Sequence, residues 1–300
     1  MTLPVTLVGA YGPQAIDHVT LHFGSFPYSS YRLCFVDDAP LDILHTSTLT
    51  ICSSRLLFPE EALEPIDPVT RQLVHALATQ WIGIDIVPQD SKDIWAIFGM
   101  AYFITDDFLR KLCGKNEYRY RQKRATDKVV ELDINRPSLI DLGPALHLDP
   151  SQNEFMALKA PLVLFILDQR ILKSGSTGVV RIINRILLNA KTGDIPNGAL
   201  NTAYFIKLCE RLSHTKLDQF FVQWVEGAGC PKFRVTQRFN KKKLVVEMMI
   251  SQVQHENIKD KALEAGTFMR DVREESHDLF AGDLQLCFTV NVSKPCEELY

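Results

Sequence analysis

At Gly227-Ala228-Gly229-Cys230-Pro231 the apolar residues of this 300-residue chain change period, from three-and-four spacing before that segment to alternation after it. Three-and-four spacing lines one face of a helix and alternation lines one face of a strand, so the two parts belong to different layers. The expected organisation is one domain over residues 1–226 and a second, β-rich one over 227–300. Within the first, Asp67 as N-cap with Pro68 at the first helical position opens a helix through Ile82, closed by Gly83. A second runs from Asp93 to Cys113 and stops at Gly114. Others are expected at Asn116 to Leu132, Asn153 to Leu172, Gly178 to Ala190, Asn201 to Leu212 and Leu217 to Glu226. Up to about Ile66, β-prone runs such as Tyr31 to Val36 and Thr48 to Cys52 alternate with turn residues, and this whole stretch reads as strands.

Past the boundary, Lys232 to Phe239 and Leu244 to Val253 read as a hairpin around Asn240-Lys241-Lys242-Lys243, and Asp283 to Val292 as a third strand. Gln254 to His277, polar and charged, reads as an exposed excursion. Three strands make only part of a β-sandwich, so an incomplete sandwich domain is expected.

Composition narrows the function classes. With 46% hydrophobic and 23% charged residues the chain has the make-up of a folded protein. Lys plus Arg number 33 and Asp plus Glu 36, a net charge of −3, so any nucleic-acid contact must be local. The seven cysteines form no CxxC pair, which fits a reducing compartment. The longest apolar run, Pro161 to Leu167, is too short to cross a bilayer, and the start lacks the basic and apolar regions of a secretion signal. Nucleophile-elbow, Walker A and Rossmann patterns are missing from the sequence.

One stretch carries a chemical pattern. His75-Ala76-Leu77-Ala78-Thr79-Gln80-Trp81-Ile82-Gly83 is followed by Asp93-Ile94-Trp95-Ala96-Ile97-Phe98-Gly99-Met100-Ala101. The pair resembles the gluzincin, aminopeptidase N-like family, whose pattern is HExxHxWxG and then a segment with a Glu ligand eighteen residues further on. Eighteen residues intervene between Thr79 and Phe98, and Trp81, Gly83, Trp95, Gly99 and Ala101 match the frame. In the family two His at i and i+4 bind zinc, the Glu between them activates the metal-bound water, and the later Glu completes the ligand set. By that resemblance His75 keeps the first ligand position, whereas Ala76 replaces the general base, Thr79 the second His and Phe98 the ligand Glu. One imidazole does not hold zinc, and the phenyl ring of Phe98 would fill the cavity. Likewise Leu41-Asp42-Ile43-Leu44-His45 stands where the family binds the substrate amine, with Leu44 among the lost positions, and Ala157 stands where the family has its transition-state Tyr. The resemblance implies an α+β, thermolysin-like aminopeptidase domain, β-rich and then helical, with neither metal nor cofactor and no peptidase activity. Taken alone, His75 reads as a half-buried helix histidine.

A closer resemblance is to the non-catalytic branch of this family that serves in the general transcription factor TFIID. It rests on Phe26-Pro27-Tyr28, Cys34-Phe35-Val36-Asp37, Pro68-Val69-Thr70-Arg71, Asn116-Glu117-Tyr118-Arg119 and Phe239-Asn240-Lys241-Lys242-Lys243-Leu244. It implies a central segment of a nuclear scaffold that docks other TFIID subunits and engages core-promoter DNA for RNA polymerase II. The residues that offer phosphate contact are Arg119, Arg121, Lys123, Arg124 and Lys128 on one helix and Lys241, Lys242 and Lys243 at a hairpin tip. Against that stands a solvated helix face, its cations offset by Glu117, Asp127 and Glu131. Two other readings stay open: a zinc aminopeptidase with substitute ligands such as His45 or Asp42, and a cleft that holds a partner's peptide without cutting it.

Overall fold

The computed structural model describes residues 6–58, 62, 65–134, 136–147, 149–230, 233–242, 245–252 and 286–291. Its backbone contacts divide the chain into two units, one of Met1–Leu132 with Leu139–Phe221 and one of Asp133–Ser138 with Val222–Tyr300.

The first unit opens on a helix, α1 (Thr6–Phe23), where strands were expected. Ala15, His18, Val19 and Phe23 recur at helical spacing and are buried on one face. Pro13 inside the helix hides this period at the sequence level, because proline usually ends one. Asn184 donates to the His22 carbonyl (3.2 Å) and the Trp81 indole to the carbonyls of Gly24 and Ser25 (both 3.2 Å), which fixes the end of α1.

A three-stranded sheet follows: β1 (Arg32–Val36), β2 (Ile43–Thr46) and β3 (Leu49–Ser53). Its order is β1-β3-β2, with β1 parallel and β2 antiparallel to the central strand. Cys52 and Leu56 form one core cluster with Val69 of α2 (Ile66–Ala78), flanked by Leu33, Phe35, Ile43, Phe58 and Leu73.

α2 departs from expectation at both ends. Pro65 holds the cap position, so Asp67 and Pro68 lie inside the first turn, where a missing proline N–H costs nothing. The helix stops at Ala78, not Ile82. There the Thr79 hydroxyl donates back to the Ala76 carbonyl (2.7 Å), and Gln80 and Trp81 continue with tighter i−3 bonds.

The helical block continues through β4 (Val87–Pro88), α3 (Ile94–Cys113), α4 (Lys115–Leu132), α5 (Leu139–Leu142), α6 (Pro150–Lys173), α7 (Val179–Lys191), β5 (Ala199–Leu200), α8 (Thr202–Ser213) and α9 (Asp218–Phe221). The expected helices are all present, shifted by a few residues at their ends. Trp95 and Asp93 both hold Thr202: the indole donates to its hydroxyl (3.1 Å), and an Asp93 carboxylate oxygen accepts its backbone N–H (2.7 Å). Gly99 lets α3 approach α6, since a Cβ there would stand 2.9 Å from Leu164 and 3.3 Å from the Ala160 carbonyl. The frame residues shared with the peptidase pattern are thus packing residues.

The second unit carries a π-helical turn, Val222–Glu226, and an antiparallel sheet of β6 (Phe233–Asn240), β7 (Val245–Gln252) and β8 (Leu286–Asn291) in the order β6-β7-β8. The expected hairpin and third strand fall here. The Cys230 thiol donates to Asp133 (3.3 Å), within the same unit. The excursion 254–277 lies outside the described residues.

Candidate functional site

Three elements meet around His75. α2 supplies Arg71, His75 and Thr79, β2 supplies His45, and α3 supplies Tyr102, Thr105 and Asp106. The His75 imidazole stacks on the Tyr102 ring, centroids 3.7 Å apart and planes 10° apart. Its Nδ1 lies 3.4 Å from the Thr105 hydroxyl. The His45 ring stands edge-on to it at 6.0 Å and 90°, with its own Nδ1 3.4 Å from the Thr79 hydroxyl. The Arg71 guanidinium covers the Tyr102 ring (5.6 Å to the centroid) and donates to Asp106 (3.3 Å). A pocket of about 270 Å³ remains, lined by Asp42, Ile43, His45, Arg71, Gln72, His75 and Tyr102.

The expected site residues separate in this geometry. His75 lines the pocket and Thr79 bonds His45, but Ala76 is wholly buried. Leu44, Phe98 and Ala157 are not among the lining residues. The ring that lies against His75 is that of Tyr102, one helical turn beyond Phe98. Tyr102, Thr105 and Asp106 were not singled out from the sequence; they follow Phe98 at four, seven and eight residues, and that spacing along one helix face is the signal that could have found them. His45 and Asp42 do line the pocket with His75. Even so, among the described residues no three His, Cys, Asp or Glu side chains group so as to hold a metal ion.

The two imidazoles of the site are held neutral. Burial, then the nearby His45 and Arg71, push the His75 pKa down to about 3, and burial lowers that of His45. Burial also raises the Asp106 pKa despite the Arg71 and Arg121 charges. A general base works best when its pKa lies near the working pH, so an imidazole this weakly basic is a poor one at neutrality. No general base of the HExxH kind stands beside it, because Ala76 carries no carboxylate.

Behind the site, Gln80 is fully buried and clamps the turn between β2 and β3: its carbonyl accepts the Thr48 N–H (3.0 Å) and its amide donates to the Thr46 carbonyl (3.1 Å). Sequence reasoning passed over it, since a lone Gln at a helix end carries no pattern.

The basic residues of α4 are largely engaged. Arg121 donates to Glu117 (3.0 Å) and to Asp67, Lys123 to Asp127 (2.6 Å), and Lys128 to Glu154. Arg124 stands over the Tyr120 ring (5.8 Å), and Arg119 is exposed. Lys241 and Lys242 are exposed in the turn after β6, and Lys243 lies outside the described residues.

Comparison with known proteins shows the family and the fold. Residues 228–292 match the family model described as the TAF2 Ig-like domain. The chain is 44% identical over 242 residues to transcription initiation factor TFIID subunit 2 of Schizosaccharomyces pombe, covering 80% of this chain and 21% of that protein. It is 39% identical over 250 residues to the Saccharomyces cerevisiae protein of the same name, covering 82% and 18%. The chain therefore spans about a fifth of the length of these relatives. Among solved structures, aminopeptidase A of Legionella pneumophila in complex with aspartic acid is similar at a TM-score of 0.59 and 16% identity, over 83% of this chain and 28% of that one. At that identity the likeness is one of fold.

Proposed function

Since the chain belongs to the TFIID subunit 2 family, we propose that it is a segment of a non-catalytic scaffold subunit of the general transcription factor TFIID, acting in the nucleus in complex assembly and core-promoter recognition for RNA polymerase II. The observation that supports a scaffold over an enzyme is the replaced ligand set around His75. Tyr102 covers His75, Thr79 turns its hydroxyl to a helix carbonyl and to His45, and Ala76 leaves no general base between the two ligand positions. Such a site keeps the peptidase frame and cannot polarise a scissile carbonyl. Its partners would be other TFIID subunits. Phosphate contacts with core-promoter DNA would come from three of the expected cations for which no carboxylate partner is found among the described residues, Arg124 in the first unit and Lys241 and Lys242 in the second.

The reading is tested by purifying the full-length tagged protein from nuclei and identifying what accompanies it. TFIID subunits in stoichiometric amounts are expected. Recovery without them, together with release of amino acids from peptides by the purified material, would overturn it.

One observation favours a second role on the same scaffold. The pocket before His75 and His45 is open and of a size to take one side chain, so the cleft can hold a partner's peptide without cutting it.

A further inference from the structure

Thr79 and Thr105 decide what the two imidazoles can do. A threonine hydroxyl has one proton, and each commits it to a helix carbonyl: Thr79 to Ala76 (2.7 Å) and Thr105 to Ala101 (2.9 Å). Toward His45 Nδ1 and His75 Nδ1, both at 3.4 Å, these oxygens act as acceptors, so the ring nitrogens donate. Both imidazoles are therefore Nδ1–H tautomers, with the lone pair on Nε2. Among the described residues no donor reaches either Nε2.

Both rings line the same pocket, at 90° to each other, and Asp42 lines it with them. The Asp42 carboxylate has one cationic neighbour among the described residues, Arg55 at 3.9 Å, with both side chains more than half exposed. Such a pair is weak and gives way readily. Arg71, the other charged lining residue, is held by Asp106. The pocket thus offers two neutral acceptors and the Asp42 carboxylate, with the Arg71 guanidinium on its wall engaged by Asp106.

We infer that this pocket takes the ε-ammonium of a lysine presented by a partner peptide. An ammonium carries three donors on one tetrahedral nitrogen and accepts nothing, which matches three acceptors on three separate side chains. The planar fork of arginine suits a flat carboxylate and matches two perpendicular rings poorly. The Tyr102 ring and Ile43, on the pocket wall, give the lysine stem an apolar surface. The inference rests on the peptide-holding reading of the cleft and adds the chemistry of what is held.

The test uses the full chain, labelled with ¹⁵N at histidine, and follows the Nε2 resonances of His45 and His75 by NMR. The probes are N-acetyl-lysine methylamide, its norleucine and arginine counterparts, and alanine methylamide with a free α-amine, all in the millimolar range. The lysine probe should shift both Nε2 signals and the others should shift them little. Asp42→Asn should weaken that response about tenfold, as expected for one charge-assisted hydrogen bond, and His45→Phe should abolish it at His75. Both positions are exposed, so the fold tolerates these changes. Equal shifts from norleucine would overturn the inference and leave the peptide-holding reading standing. A stronger response to arginine or to the free α-amine would overturn the assignment to lysine. If no probe shifts either signal, the inference and the peptide-holding reading both fall, while co-purification with TFIID judges the scaffold separately.

Discussion

The imidazole of His75 lies flat on the phenol ring of Tyr102, 3.7 Å between centroids and 10° between planes. Arg71 covers the other partner in the same stack, 5.6 Å from the Tyr102 centroid, and Asp106 fixes the guanidinium. A position that binds zinc in the resembled family is here the base of a π-stack. Stacking of this kind contributes about 0.5–1.5 kcal/mol beyond the area it buries.

Tyr102→Ala should admit water to His75. Because burial is the largest cause of its lowered pKa, the value should move up from about 3 toward the ordinary 6.5. A histidine NMR titration of wild type and variant reads this directly. The same variant should lose about 2–4 kcal/mol of stability, since it removes most of a largely buried aromatic ring.

Stability should fall on mild acidification through His75. Between pH 6.5 and about 3 the unfolded chain takes up a proton at this position that the folded chain does not. The contribution is complete above 6.5 and is lost as the pH drops, by up to about 1.4 kcal/mol for each pH unit. Urea unfolding at pH 7.0, 6.0 and 5.0, taken as roughly spaced points across that window, should show a steeper loss in wild type than in His75→Phe.

How far this was legible in the sequence depended on the range of the interaction. The helices of the block announce themselves through local period and through Gly83, Gly114 and Gly178, all at positive φ where a helix or turn ends or begins. α1 was missed because Pro13 interrupts its period, and its burying partners, such as Asp107 for His18, lie 89 residues away. The frame residues and His75 were readable, since the pattern is local to two helices. Tyr102 and Gln80 were not singled out, because what defines them is a strand from elsewhere in the chain and a neighbouring helix face. The α4 cations looked like one stripe until Asp67 and Glu154, distant in sequence, supplied carboxylates.

Gln80→Ala should loosen the turn between β2 and β3. It removes an acceptor from the Thr48 N–H and a donor from the Thr46 carbonyl, at a cost of about 2–3 kcal/mol. Hydrogen exchange of the β2 and β3 amides should accelerate, while the amides of α6 stay protected.

Two glycines should differ in tolerance. At Gly143 an added Cβ would sit 1.9 Å from the Ser91 carbonyl oxygen, a backbone atom, so Gly143→Ala should destabilise severely. At Gly99 the nearest atom is the end of the Leu164 side chain, which can shift, so Gly99→Ala should cost about 1–3 kcal/mol. Comparing their denaturant midpoints checks the order.

The most direct test of the account as a whole is the zinc content of the purified chain after equilibration with a zinc-buffered solution, measured by elemental analysis. A peptidase frame lacking its ligand set should retain far less than one zinc per chain, and His75→Ala should leave that content unchanged. One tightly held zinc per chain, lost on changing His75, would contradict it.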